Sequence, residues 1–308
     1  MNPNSSLHLD ARETAFFEKE LTRVMTKSFD EERKDLKALQ LIPVSPDQDF
    51  IAKTIEWKSY TQVGIAKFVS DYANDFPRVD VGGVEHTAKV KTMGDSYGYS
   101  IEDIRRAAAL NMPLSQRKAA AAVRAIDELQ DRVAWFGEAD LGIQGLINFP
   151  GITEYAVQNG AGGSKAWADK TADEIYADVI GLITTPGQVT NGKENPDTLI
   201  MDLAHYNKLA STPFGDNKDK TLLSFIRTNF PSLTRIEWVQ ELATAGAGGT
   251  SRMMAYTRDP DKLELLITWK LEQFDPERRG QEYIIDCLQK TAGVVVYRPL
   301  SVAFGDGI

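Results

Sequence analysis

The chain has 308 residues, 42% hydrophobic and 26% charged, which are ordinary proportions for a globular protein with a sizeable core in two lobes. Lys and Arg number 35 against 44 Asp and Glu, so the formal net charge is −9, whereas nucleic-acid-binding proteins usually carry a basic face. No apolar segment has the length or setting of a signal peptide or a transmembrane helix, so neither is predicted.

Residues 1–50 are predicted to form an arm. Phe16, Phe17 and Leu21 fall in a short amphipathic segment, and residues 41–46 are predicted to be extended because residues before proline avoid the helical region. The arm is either a frayed tail or a strap that packs on a neighbouring subunit. The strap is favoured, because a frayed tail would leave these three apolar side chains exposed.

In residues 51–99, more apolar and more polar side chains alternate with a period of two, and this alternation predicts a long β-hairpin. Its turn is predicted at residues 71–83, with the sequence DYANDFPRVDVGG. Both faces of the hairpin are only half apolar, so it is not expected to be stable alone. It either reaches another subunit or folds back on its own domain.

A helix is predicted from Ile101 to about Asn111, followed by a long helix over residues 113–136. Apolar residues recur along the long helix at steps of three and four and form one predicted buried stripe: Ala119, Ala122, Val123, Ile126, Leu129, Val133 and Phe136. Charged residues, among them Asp131, are predicted to occupy the solvent side, and Gly137 is predicted to end the helix. At about 1.5 Å per residue, the helix would be a strut of roughly 36 Å.

The remaining chain mixes helices and strands without regular βαβ alternation, which indicates an α+β fold. The predicted helices are 172–182, 203–210 and 219–230. The predicted strands are 197–202, 235–240, 253–257, 263–269, 282–289 and 293–298.

No catalytic, cofactor-binding or metal-binding residues are predicted. The glycine-rich stretches 159–165 and 245–250 lack the order of a phosphate loop or a dinucleotide motif and are interpreted as surface turns. His8, His86 and His205 lie far apart, without a second ligand at zinc spacing. Cys287 lies in an apolar run and is predicted to be a buried, inert thiol. An enzyme with an unrecognised site remains the alternative from another class.

Three segments, in this order, carry a resemblance to a known family. They are GEADLGIQGLINFPGI after the long helix, WVQELATAGAGGTSRMMAYTRDPDKLELL, and the C-terminal TAGVVVYRPLSVAFGDGI. From about residue 51 to residue 308 the sequence resembles the major capsid proteins of tailed bacteriophages, of the Hong Kong 97 type. The resemblance rests on the order and combination of the segments, since none of them is a catalytic signature.

The resemblance implies an α+β capsid fold with five parts. These are an N-terminal arm (1–50), an extended β-hairpin loop (51–99), a peripheral domain (100–195) with the long helix 113–136 as its spine, an axial domain (196–281), and C-terminal strands returning to the peripheral domain (282–308). In this family the extended loop reaches over the next subunit. The residues expected at inter-subunit contacts are Phe16, Phe17, Leu21, Asp71, Tyr72, Phe76, Arg78, Lys89 and Lys91.

The function implied is structural. Pentamers and hexamers of the chain would build an icosahedral virion shell in the host bacterial cytoplasm, around double-stranded DNA held without sequence-specific binding. Expected partners are other copies of the chain, a portal, and scaffolding or decoration proteins; no cofactor or membrane is expected. The alternative within the same fold is an encapsulin, a bacterial shell that encloses an enzyme.

Overall fold

The computed structural model describes residues 34–45, 51–63, 80–110, 116–215 and 220–308. Most of the residues expected at inter-subunit contacts lie outside this part of the chain: Phe16, Phe17, Leu21, Asp71, Tyr72, Phe76 and Arg78. The chain divides into two units, Met1–Asp35 and Leu36–Ile308, and all the elements below belong to the second.

The described residues form an α+β fold, which confirms the predicted class. The helices are α1 Ala38–Leu41, α2 Ile101–Leu110, α3 Gln116–Phe136, α4 Ala172–Val189, α5 Leu203–Ser211 and α6 Leu222–Asn229. The strands are β1 Thr54–Val63, β2 Asp80–Lys89, β3 Lys91–Ser100, β4 Gly137–Glu138, β5 Ile143–Gln144, β6 Thr153–Glu154, β7 Thr198–Met201, β8 Pro213–Phe214, β9 Lys220–Thr221, β10 Arg235–Trp238, β11 Arg252–Tyr256, β12 Leu263–Gln273, β13 Glu277–Arg279, β14 Glu282–Val296 and β15 Val302–Asp306.

A five-stranded sheet has the order β10-β7-β11-β15-β6, and its strands β7 and β11 are buried on both faces. Because neighbouring residues on a strand point to opposite faces, Leu199 and Met201 enter the core beneath α4, α5 and α6, while Ile200 enters a second core with Trp135 of α3. Helix α4 is longer than predicted and packs on this sheet. Strand β15, the last of the C-terminal strands, pairs with β11 in this sheet. The domain boundaries themselves remain predictions.

A second sheet is organised around β14, which pairs with β12 and β13 on one side and with β3 and β5 on the other. The sequence predicts two strands here, but β14 is one strand of 15 residues. Gly293, with φ of 76°, lies opposite Leu266, and Thr291 lies opposite Ile267, so the register shifts at Ala292. The gap predicted at residues 290–292 is therefore a bulge within one continuous strand.

Strands β1 and β2 form the predicted hairpin, paired from Thr54 opposite Lys89 to Val63 opposite Asp80. The pairing includes residues 80–83, which the sequence placed in the turn. The hairpin also ends earlier than predicted, since residues 91–99 lie in β3 and pair with β14. Met93 and Tyr99 of β3 are buried, so these side chains hold the strand to the body of the fold.

The predicted stripe of α3 is only partly right. Ala122, Ile126 and Val133 are buried, as expected, but Leu129 is 37% exposed. Asp131, expected in solvent, is buried because its carboxylate accepts the backbone N–H of Ala38 at 2.8 Å. This hydrogen bond joins segments 93 residues apart, and helical periodicity contains no information about such a partner.

The end of α3 follows the prediction. Gly137 adopts φ of 67° directly after the helix, a left-handed conformation that glycine adopts without steric cost. A Cβ atom at this position would lie 2.4 Å from the carbonyl oxygen of Ile143. Glycine is therefore required both by the backbone conformation and by the close approach of β5.

Several residues of the segment 36–45 are buried in the core, although the sequence assigns the segment to the arm. Ala38 and Ile42 are fully buried, and the hydroxyl of Tyr256 donates to the carbonyl oxygen of Leu41 at 3.0 Å. Burial raises the pKa of Tyr256, so this hydroxyl keeps its proton and remains a donor. Three apolar side chains within five residues explain why this segment is drawn into the core.

We expect Ala122→Leu to destabilise the subunit more than Ala121→Leu. Ala122 is buried against Ile126 and Cys287, whereas Ala121 is exposed on the same helix. Overpacking typically costs about 1–3 kcal/mol, and an exposed leucine on a helix is nearly neutral. Thermal melting of unassembled subunits measures both changes. Equal tolerance would show that the buried face of α3 is misassigned.

Candidate assembly surfaces

The base of the β1–β2 hairpin is attached to its own subunit by aromatic packing. The ring of Trp57 stacks on His86 across the hairpin, with 5.4 Å between centroids, and meets Tyr297 edge-on at 5.6 Å. Val90 and Val295 complete a small buried cluster at this point. One face of the hairpin base is therefore anchored by β14 and the segment that follows it.

The other face of the hairpin has no comparable support. Tyr60, which lies on this face, is 66% exposed. Lys58 and Glu85 form an ion pair of 2.7 Å across the strands, but an exposed pair of this kind contributes only about 0–1 kcal/mol. Within the described residues, β1 and β2 pair only with each other. An isolated two-stranded hairpin is marginally stable, so this surface would gain from covering by another molecule.

Lys89 and Lys91, expected at inter-subunit contacts, both line one pocket at the base of the hairpin. The pocket has a volume of about 440 Å³ and is lined by Ala52, Lys53, Thr54, Lys89, Val90, Lys91, Thr92 and Lys290. We call it the lysine pocket. Lys53 and Lys290 were missed by the sequence reasoning, because they come from distant segments and are brought together by strand register. The alternation of side chains within β3 and β14 does not indicate that these lysines come together.

An apolar hollow of about 450 Å³ adjoins the lysine pocket beside α3. Its apolar lining is formed by Met93, Leu129, Val133, Leu141 and Ile143. Leu129 and Leu141 are 37% and 43% exposed, so two large aliphatic side chains border solvent here. Leu129, whose exposure contradicts the predicted buried stripe of the helix, therefore lines this concave surface.

The glycine-rich loop at residues 159–165 is a turn in which the backbone amides of Gly160, Ala161 and Gly163 already donate hydrogen bonds. The carboxylate of Glu174 accepts the N–H of Ala161 at 2.6 Å and the N–H of Thr171 at 2.8 Å. The backbone hydrogen bond from Thr171 and then that from Ala161 lower the pKa of Glu174, so the carboxylate stays charged. These amides serve a helix cap, which supports the interpretation as a turn.

The two described histidines have structural partners. His86 stacks on Trp57, and His205 contacts Asp202, whose carboxylate caps α5. His8 lies outside the described residues. Within the described ranges no group of three or more His, Cys, Asp and Glu side chains could hold a metal ion.

Cys287 is fully buried, as predicted, and burial raises the pKa of its thiol. It therefore stays in the unreactive thiol form. No helix in the described part of the chain is long and apolar enough to cross a membrane.

The fold is the Hong Kong 97 type of capsid shell proteins, and solved structures share it. The capsid protein of Myoviridae phage XM1 matches with a TM-score of 0.78 and 21% identity, over 94% of this chain and 98% of that chain. The capsid of cyanophage P-SCSP1u matches with a TM-score of 0.62 and 12% identity, over 92% of both chains. A virus-like particle from Pyrococcus furiosus matches with a TM-score of 0.54 and 14% identity, over 87% of this chain and 91% of that chain.

The amino-acid sequence shows the family to which the chain belongs. The model of the major capsid protein family matches residues 64–308, and the chain belongs to this family. No curated protein matches the chain. Its function is structural: copies of the chain form the shell of a capsid.

Proposed function

We propose that the chain builds the icosahedral shell of a tailed bacteriophage from pentamers and hexamers, around double-stranded DNA. The observation that carries the proposal is the β1–β2 hairpin, anchored at its base by Trp57 and exposed on its other face. Such an element is suited to a neighbouring subunit. The match to the major capsid protein family and the structural similarity to the phage XM1 capsid favour a phage shell over an encapsulin.

The shell has a structural role without catalysis, and its net charge of −9 suits a container that holds DNA without binding its sequence. Its further partners are a portal and scaffolding or decoration proteins, and assembly takes place in the cytoplasm of the host bacterium. The contacts between copies include the hairpin turn, with Asp71, Tyr72, Phe76 and Arg78, together with Lys89 and Lys91 at the hairpin base.

The content of particles isolated from infected host cells tests the enclosed genome. Nuclease is added to intact particles, the particles are then opened, and the remaining nucleic acid is measured. A phage shell protects genome-length DNA. Particles that contain a protein cargo and no protected DNA would support the encapsulin alternative instead.

The N-terminal arm is expected to stabilise the shell more than the subunit. If Phe16, Phe17 and Leu21 pack on another copy, each buried side chain contributes on the order of 1.5–3 kcal/mol. Changing all three to Ser should lower the melting temperature of particles and leave that of isolated subunits unchanged. Calorimetry of both states measures this. An equal loss in both states would mean that the arm folds on its own subunit.

A further inference from the structure

The apolar hollow beside α3 leaves large aliphatic side chains open to solvent. Leu129 and Leu141 border it at 37% and 43% exposure, while Met93, Val133 and Ile143, which also line it, are buried. Single exposed leucines are ordinary on a protein surface, but these two share one concavity. An apolar side chain that entered the hollow would remove both from water, which is favourable in proportion to the area covered. The hollow therefore fits a contact with another apolar segment.

The rim of the hollow carries both signs of charge. Lys91 comes from β3, and Glu138 and Asp140 come from the segment that follows α3. Glu138 faces the guanidinium of Arg132 at 3.7 Å, so its charge is partly compensated. Lys91 and Asp140 form no ion pair with any other residue in the described part of the chain. An occupant that places a cation beside Asp140 and an acid beside Lys91 would match this rim.

The segment between β1 and β2, residues 64–79, supplies such an occupant. It contains three aromatic residues, Phe68, Tyr72 and Phe76. Only Phe76 has both an acid and a base within two positions, namely Asp75 and Arg78. Phe76 with its two charged neighbours therefore corresponds to an apolar hollow whose rim carries Asp140 and Lys91.

Phe76 cannot reach the hollow of its own subunit. The base of the hairpin lies beside the hollow, because a Cβ atom on Gly142 would be 3.4 Å from Nζ of Lys89. Asp80, at the far end of β2, is nine residues from Lys89, which at 3.4 Å per residue is about 30 Å. The four residues from Asp80 back to Phe76 span at most about 14 Å, so a gap of about 16 Å remains. A phenylalanine side chain does not bridge this gap, so the occupant comes from a second copy.

The N-terminal arm is the competing occupant, since residues 16–19 also place aromatic and charged side chains together. These residues are joined to the described part of the chain through a long segment, residues 20–33. Phe76 is close in sequence to β2, and the paired strands hold the hairpin turn at a set distance from the base. A short tether leaves less freedom to lose on binding, and Pro77 restricts the chain further. The hairpin turn is therefore favoured.

We infer that the apolar hollow of one subunit receives Phe76 from the hairpin turn of a second copy, with Arg78 of that copy beside Asp140 and Asp75 beside Lys91. This inference rests on the proposed shell function and names the surface that receives the turn. The contact joins two different patches and is therefore head-to-tail. Contacts of this kind close into rings where the rotation permits, which suits pentamers and hexamers.

Disulfide cross-linking tests the contact in assembled particles. Arg78→Cys with Asp140→Cys should form bonds between copies under mild oxidation, and denaturing gels should show covalent multimers up to the size of a pentamer or hexamer. Arg78→Cys with Asp169→Cys is the matched control and should stay monomeric on the gel. Asp140 and Asp169 are both exposed and both lie in short 3-10 helices, but Asp169 is outside the hollow. The native Cys287 is buried and should not react.

Three results of this experiment would overturn the inference. They are intact shells without these multimers, equal cross-linking in the control, and a bond within one subunit, which would place the turn in its own hollow. Phe17→Cys in place of Arg78→Cys tests the arm, and a bond from this position to position 140 would assign the hollow to the arm instead. Wild-type protein that forms rings without closed shells would contradict the proposed function, while cross-linking within those rings still tests the contact.

A second measurement uses two leucines of equal exposure. Leu129→Glu should raise the protein concentration at which shells form by about 10- to 100-fold, because the contact loses its apolar partner. Leu203→Glu is the matched control, since Leu203 is also 37% exposed on a helix but lies outside the hollow. Melting of unassembled subunits should change by similar small amounts in both variants. Phe76→Ser should reproduce the effect of Leu129→Glu. Equal assembly of the two leucine variants would contradict the inference.

Discussion

Replacing residues 64–79 with a short Gly-Ser turn should give a folded, soluble subunit that no longer closes shells. The ten-residue ladder of β1 and β2 ends at Val63 and Asp80, so the replacement leaves every described strand pair intact. The base of the hairpin also keeps its packing around Trp57. Only the part of the hairpin proposed to reach a neighbour is removed.

Two measurements separate the effects on folding and on assembly. The melting temperature of the isolated variant should equal that of the wild-type subunit, and electron microscopy should show no closed particles. Normal shells from this variant would refute the proposed role of the turn. A lower melting temperature would show that the turn folds back on its own domain.

Gly293→Ala should cause a large loss of subunit stability. Gly293 adopts φ of 76°, and a Cβ atom there would lie 2.3 Å from Cγ2 of Ile143 and 2.5 Å from the carbonyl oxygen of Gln144. The left-handed conformation costs an alanine roughly 1–2 kcal/mol, and overpacking adds about 1–3 kcal/mol. The change would also separate β5 from β14 at their point of pairing.

Gly192→Ala is the matched control for this prediction. Gly192 has φ of 80°, but a Cβ atom there would have no neighbour within 4 Å. The loss of stability caused by Gly192→Ala should therefore come only from the left-handed backbone conformation. Urea denaturation of both variants gives the difference, which measures the close approach of β5 to β14. Equal losses would show that the surrounding strands adjust without cost.

The sequence predicted the features that depend on local patterns. A period of two gave the hairpin, and helical spacing gave α3 with Ala122, Ile126 and Val133 on its buried face. Gly137 adopts the left-handed conformation and ends the helix at the predicted residue. These signals lie within a few residues of the structure they specify, so they can be interpreted without the tertiary fold.

Features that depend on distant partners were not predicted. Asp131 is buried because Ala38 donates to it, and no pattern in α3 indicates this. Two strands were predicted where β14 is continuous, since the bulge beside Gly293 is defined only by the pairing with β12. The lysine pocket likewise arises only when β2, β3 and β14 come together. Long-range register is therefore the main information that the sequence did not supply.

Electron microscopy of the purified full-length protein tests the central claim most directly. A shell-forming major capsid protein should appear as closed particles of uniform size, built from pentamers and hexamers. Discrete small oligomers under conditions that favour assembly, with no closed particles, would contradict the account.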